Sequence, residues 1–76
     1  ASEEIEMEFT SIVLDNNSPL VGKRLAEIGL RDNYTALIVS VERADGTFES
    51  PNADTVLNSG DNIWLVGDKN KIKEII

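Results

Sequence analysis

A chain of 76 residues with 14 acidic and 7 basic side chains, net charge −7, has room for one domain and no second core. It contains neither cysteine nor histidine, which removes disulfides, thiol chemistry, Cys/His zinc sites and imidazole acid–base catalysis. The cations, Lys23-Arg24, Arg31, Arg43, Lys69, Lys71 and Lys73, form no stripe that could follow a phosphate backbone, so neither nucleic acid nor an anionic membrane surface is an expected partner. A domain this small buries only about 60% of its unfolded surface, so pairing or attachment to a larger protein would help it. Its longest apolar runs, Ala36 to Val39 and Ile63 to Val66, are too short to span a bilayer. Glu3, Glu4, Glu6 and Glu8 stand where a signal peptide would be positive. The expectation is one cytosolic domain over residues 1–76, and a piece of something longer.

From Ile5 to Leu14 the chain alternates, with Met7, Phe9, Ser11 and Val13 on one side and Glu6, Glu8, Thr10 and Ile12 on the other. Period two predicts a strand with one buried face. Asp15-Asn16-Asn17-Ser18-Pro19 ends it. Leu20, Val21, Leu25 and Ile28 then fall at helical spacing, predicting a short helix over Lys23 to Ile28 that stops at Gly29. Tyr34 to Arg43, with Thr35, Ile38, Val39 and Val41 β-branched, predicts a strand. Asp45-Gly46 predicts a hairpin closed by a two-residue type I′ loop before Thr47-Phe48-Glu49. Pro51 to Asp54 reads as irregular, Thr55 to Leu57 as briefly extended, and Asn58 to Asp61 as a turn. Asn62 to Gly67 predicts a buried strand, and Asp68 the N-cap of a last helix with Ile72, Ile75 and Ile76 on one face. The fold class expected is α+β, a small mixed or antiparallel sheet with one short helix after the first strand and a helix at the C-terminus. Leu25, Ile28, Val39, Val41, Ile63 and Leu65 are the expected core.

Three motifs could carry chemistry, and each has a plainer reading. Carboxylates at Glu3, Glu4, Glu6 and Glu8 could attract a hard cation, but alternate strand residues diverge, which favours a solvated face. Asp15-Asn16-Asn17-Ser18 lacks the central glycine and distal glutamate of a calcium loop and reads as a turn leading into the helix. Gly60-Asp61 has no partner acid or nucleophile; it reads as a tight turn whose aspartate bonds a nearby N–H. Gly22-Lys23 lacks the upstream glycine of a phosphate loop. No constellation supports catalysis. By contrast, Leu37-Ile38-Val39 and Ile63-Trp64-Leu65-Val66 are apolar toward both faces of a sheet. Helices can cover one face. The other calls for a second copy of the chain, or for the final helix alone.

The motif order resembles one known family. Ser18-Pro19-Leu20-Val21-Gly22-Lys23 followed by Leu25-Ala26-Glu27-Ile28-Gly29-Leu30-Arg31 looks like the opening of an RCK C-terminal (TrkA-C) domain. The resemblance continues through Leu37 to Arg43, the hairpin Ala44-Asp45-Gly46, Pro51, Asp54 to Leu57, and Gly60-Asp61-Asn62-Ile63-Trp64-Leu65-Val66-Gly67, and covers Phe9 to Ile76. It implies a cytoplasmic domain of potassium channels, transporters or cation/proton antiporters. Such a domain pairs with itself and binds small ligands, cyclic dinucleotides or other nucleotides among them, at or near the dimer interface. By position it implies Ile38, Val39 and Arg43 as ligand-binding residues, with no catalytic residue and no metal. Glu42 and Ala44 stand where the family often has a second basic residue. The dinucleotide-binding partner domain of the family is not in this chain, whose sequence has no G-x-G-x-x-G.

The function expected from all this is regulatory: a ligand-binding homodimer attached to a membrane cation transporter at its cytoplasmic side, where ligand binding biases transport. A purely structural dimerisation module is the alternative. A small enzyme lacks the acid–base and nucleophile groups it would need.

Overall fold

The computed structural model describes residues 6–75. Its elements are β1 (Met7–Val13), α1 (Leu25–Ile28), α2 (Leu30–Tyr34), β2 (Ala36–Glu42), β3 (Phe48–Glu49), β4 (Asn62–Asp68) and α3 (Lys69–Ile72), which runs into a 3-10 turn at Lys73–Ile75. The sheet is wholly antiparallel in the order β1-β4-β2-β3, which resolves the mixed-or-antiparallel expectation.

The register sorts the paired strand residues to two faces. On the inner face Thr10, Leu65 and Ile38 form one row, and Ile12, Ile63, Val41 and Glu49 another. Leu14, Leu20, Ile28, Leu30, Leu57, Ile72 and Ile75 close over it. Ile28 and Leu30 bring α1 and α2 to that core, and Ile72 brings α3, so all three helices lie on this one side.

Local chemistry explains most boundaries. Asp15 starts the first turn, its Oδ1 accepting the Asn17 N–H at 2.8 Å. Glu27 Oε1 accepts the Arg24 N–H at 3.1 Å at the start of α1, and Gly29 ends it at φ 63°, ψ 50°. Here the expectation of a single helix falls short. Gly29 also opens α2, because Asn33 Nδ2 donates to the freed Ile28 carbonyl at 2.8 Å and its backbone N–H to Gly29 O at 2.8 Å. Tyr34, expected in the strand, therefore ends a helix. Asp68 caps α3 as expected, accepting the Asn70 N–H at 2.9 Å.

The hairpin is not type I′. Arg43 N–H bonds Thr47 O and Gly46 N–H bonds Arg43 O, which makes a three-residue loop with positive φ at Gly46 (89°) and not at Asp45. Asp45 Oδ1 accepts both the Thr47 N–H and its hydroxyl, which holds Asp45 in the ordinary region of φ. Val39 is corrected too. It is 52% exposed because β2 is irregular between Ile38 and Ser40, which oppose Leu65 and Trp64 and leave Val39 unpaired. Leu25 is only half-buried; Ile28, Val41, Ile63 and Leu65 are core. Glu3, Glu4, Ile5 and Ile76 lie outside the described residues, while Glu6 and Glu8 are exposed.

Gly67 is required by contact. A Cβ there would meet Thr35 O at 2.6 Å and Ala36 Cα at 2.8 Å, so only glycine lets the chain entering β2 lie against β4.

Candidate functional site

Arg43 follows β2 and turns back into the protein. Its Nε donates to Glu49 Oε2 at 2.7 Å and its Nη2 to Glu49 Oε1 at 3.2 Å, a forked pair. Its Nη1 donates to Val56 O at 2.8 Å and to Asp61 Oδ2 at 2.6 Å. Asp61 is 2% exposed and also accepts the Asn58 N–H at 2.8 Å. The aspartate of the Gly60-Asp61 turn thus bonds a nearby N–H, as its sequence context suggests, and holds a buried ion pair as well. The guanidinium beside it, with its hydrogen bond, keeps the Glu49 carboxyl below its ordinary value. The two Glu49 contacts lock the hairpin of β2 and β3, and the contacts to Val56 O and Asp61 tie it to the segment that leads into β4, so this arginine staples the hairpin to the molecule.

The outer sheet face is built differently. Its rows are Phe9–Val66–Leu37, Ser11–Trp64–Ser40 and Val13–Asn62–Glu42–Phe48, with Met7 opposite Asp68 at one end. Met7, Phe9, Val13, Leu37, Val39 and Phe48 are each more than half exposed. Phe9 stacks on Trp64 with ring centroids 5.7 Å apart. No described residue covers this face, and the final helix lies on the opposite one. The alternation in β1 therefore buries Ile12 and leaves the Met7–Phe9–Val13 side open. An apolar patch of this extent on a small domain marks a binding surface.

At the Met7 end the face runs into a groove of about 260 Å³ lined by Met7, Arg31, Thr35, Ala36, Leu37 and Val66. Arg31 lies in α2 and is exposed; among the described residues it forms no ion pair. Thr35, between α2 and β2, has φ 49° and ψ 49°. A β-branched residue in that region carries strain of about 1–3 kcal/mol. The strain is held in place by the Asp68 N–H, which donates to Thr35 O at 3.0 Å. An apolar slot with one guanidinium at its rim can take a flat apolar group and an attached anion.

The residues expected to bind ligand thus fall in three places. Val39 is on the open side. Ile38 opposes Leu65 and packs against the core, and Arg43 is engaged with Glu49, Asp61 and Val56. Arg31, Met7, Leu37 and Val66 were not singled out for a site from the sequence. The apolar alternation of β1 and the two-sided apolarity of β2 were the available signals. Among the described residues no cluster of acidic side chains could hold a metal ion, and no helix is long and apolar enough to cross a membrane.

Comparison with known proteins sets this geometry in a family. Residues 9–76 match the TrkA-C domain. The chain is 36% identical over 75 residues to potassium channel protein 1 of Methanocaldococcus jannaschii, covering 99% of this chain and 22% of that protein. It is 24% identical over 82 residues to the K(+)/H(+) antiporter subunit KhtT of Bacillus subtilis, covering all of this chain and 50% of the subunit. The chain therefore spans between about a fifth and a half of these relatives. Among solved structures, the RCK_C domain dimer of S. agalactiae BusR in complex with c-di-AMP superposes with a TM-score of 0.76 at 28% identity, covering 87% of this chain and 82% of that one. BusR in complex with its busAB-promotor DNA gives a TM-score of 0.76 at 27% identity over 97% of this chain and 36% of that one. With a family match over nearly its whole length and a sheet of the same form, this chain is a member of the TrkA-C (RCK_C) domain family.

Proposed function

We propose that this chain is a non-catalytic regulatory domain. Two copies pair through the outer sheet face, and a small anionic ligand with a flat apolar part, of the cyclic dinucleotide or nucleotide class, binds in the groove beside Arg31. The carrying observation is that six large apolar side chains stand exposed on one face, continuous with a groove whose rim holds a guanidinium. Support comes from the BusR domain, which is a dimer in complex with c-di-AMP. Val39 contacts the partner or ligand directly, Ile38 supports β2 from the core side, and Arg43 positions the hairpin that carries Phe48.

The domain is a single unit over residues 1–76, part of a longer cation transport protein, and works at the cytoplasmic face of the membrane. A ligand that binds the two arrangements of the pair unequally would shift the attached transport domain by that difference. The scattered cations argue against nucleic acid as a partner of this chain. The net charge of −7 favours one competing reading, a pairing module that takes no anionic ligand.

Thermal unfolding and sedimentation velocity, with and without cyclic di-AMP and a panel of nucleotides, test the proposal. A ligand-dependent rise in Tm that Arg31→Ala abolishes supports it, since a binder of the native state must stabilise it. Concentration-dependent pairing with no ligand response leaves the structural module. A monomer indifferent to every ligand sinks both.

A further inference from the structure

Away from the Met7–Asp68 end, the cross-strand rows of the outer face carry one charged residue, Glu42, in the row Val13–Asn62–Glu42–Phe48. Glu42 sits there half-buried, in a row that ends on the two most exposed large apolar side chains among the described residues, Val13 and Phe48. Its one side-chain hydrogen bond among the described residues is a long one, from Asn62 Nδ2 at 3.3 Å. Asn62 Oδ1 is itself buried without a partner. The nearest cation in sequence, Arg43, is committed to Glu49, Asp61 and Val56 O. Glu42 therefore stands as a carboxylate on this face with no cation paired to it among the described residues.

Resting on the pairing reading above, we infer that Glu42 is the residue that keeps pairing of this face weak. A two-fold interface uses the same patch from both copies, so two such carboxylates leave water together when the faces meet. Burying a charge without a partner opposes association, and like charges in one interface oppose it further. Apolar area supplies the attraction while Glu42 sets its limit. That leaves an equilibrium a ligand can shift, where an unopposed apolar face would hold the pair closed. Glutamine at this position keeps the shape, removes the charge, and offers a donor as well as an acceptor to Asn62.

Sedimentation velocity on the 76-residue chain tests this with wild type, Glu42→Gln and, as a control, Glu74→Gln. Glu74 is exposed in the 3-10 turn beyond α3, on the helical side of the sheet, so its change removes one negative charge without touching the face. The expected result is a dimer Kd at least about tenfold lower for Glu42→Gln than for wild type, with Glu74→Gln unchanged. All three should share wild-type circular dichroism and Tm at concentrations where they are monomeric. Equal Kd values for wild type and Glu42→Gln, with both pairing, would overturn the inference and leave the pairing reading standing. Equal tightening by Glu74→Gln would assign the effect to overall charge and overturn it too. If neither wild type nor Glu42→Gln pairs at any concentration, the pairing reading fails and takes the inference with it.

Discussion

Two arginines flank β2, one before it and one after, and they are opposites. Arg43 spends its donors on Glu49, Asp61 and a backbone carbonyl. Arg31 stands exposed at the rim of an apolar groove, with no ion pair among the described residues. The same side chain is an internal fastener in one place and an exposed cation on a groove rim in the other. What decides is whether carboxylates already face it. In this acidic chain, a cation left unspent is the more informative one.

Removing each arginine should separate the two roles. Arg43→Met leaves Asp61 buried and unpaired and should cost about 3–5 kcal/mol, enough to unfold much of so small a domain. Arg31→Met should change stability by less than about 0.5 kcal/mol while abolishing any ligand-induced rise in Tm. Denaturant unfolding of both variants checks the contrast; comparable losses would erase it.

Gly67→Ala drives a methyl into Thr35 O and Ala36, so a loss of roughly 1–3 kcal/mol is expected, again read by denaturant unfolding. Thr35→Asn acts on the same junction in the other direction. Asparagine tolerates the left-handed conformation better, and a gain of about 1 kcal/mol is expected. If the variant gains stability and loses ligand response, the strain serves the groove beside Arg31. If both improve, it does not.

The smallest effect expected is that of pH at the Arg43 end. Hydrogen bonding from Arg43 lowers the Glu49 carboxyl from its ordinary 4.5. Thr47 lowers Asp45 in the same hairpin, chiefly through its hydroxyl. A carboxyl lowered by folding contributes stability that is fully present above its unfolded value and is lost as pH falls through the folded one. Tm should therefore be flat from pH 7 to about 5 as far as these groups are concerned, then fall, and Glu49→Gln should make the fall shallower.

How much of this could be read beforehand depends on how local its cause is. Gly29, Asp68, Asn58 to Asp61 and the turn at Asp15 signal through their own side chains or backbone freedom, and the structure has them in those roles. Ile63 and Leu65 alternate toward one side and are core. The face of β1 that is buried was not legible, because Ile12 lies on one side and Met7, Phe9 and Val13 on the other; only the register against β4 decides between them. The displacement of Val39 depends on the same kind of non-local pairing. So does the strain at Thr35, which is fixed by the close approach of Gly67. Of the candidate site, the need to cover a second apolar face was legible from β2 and β4. Arg31 was visible as a residue and not as part of a groove, since the other walls come from β1, β2 and β4.

The order β1-β4-β2-β3 has a consequence for how the chain acquires its structure. The last strand in the sequence is the one that joins the first strand to the middle of the sheet. Before residues 62–68 are available, the pairing that can form among β1, β2 and β3 is the two-residue hairpin of β2 with β3, beside the single bridge of Arg24 with Val56. Pairing β1 with β4 closes a loop from Val13 to Asn62, and that search makes folding slow for so short a chain. A nascent chain therefore holds Met7, Phe9 and Val13 without a strand partner until nearly all of the domain has been made. Assembly of the sheet and arrival of the C-terminal helix, which starts one residue after β4, become a single late event.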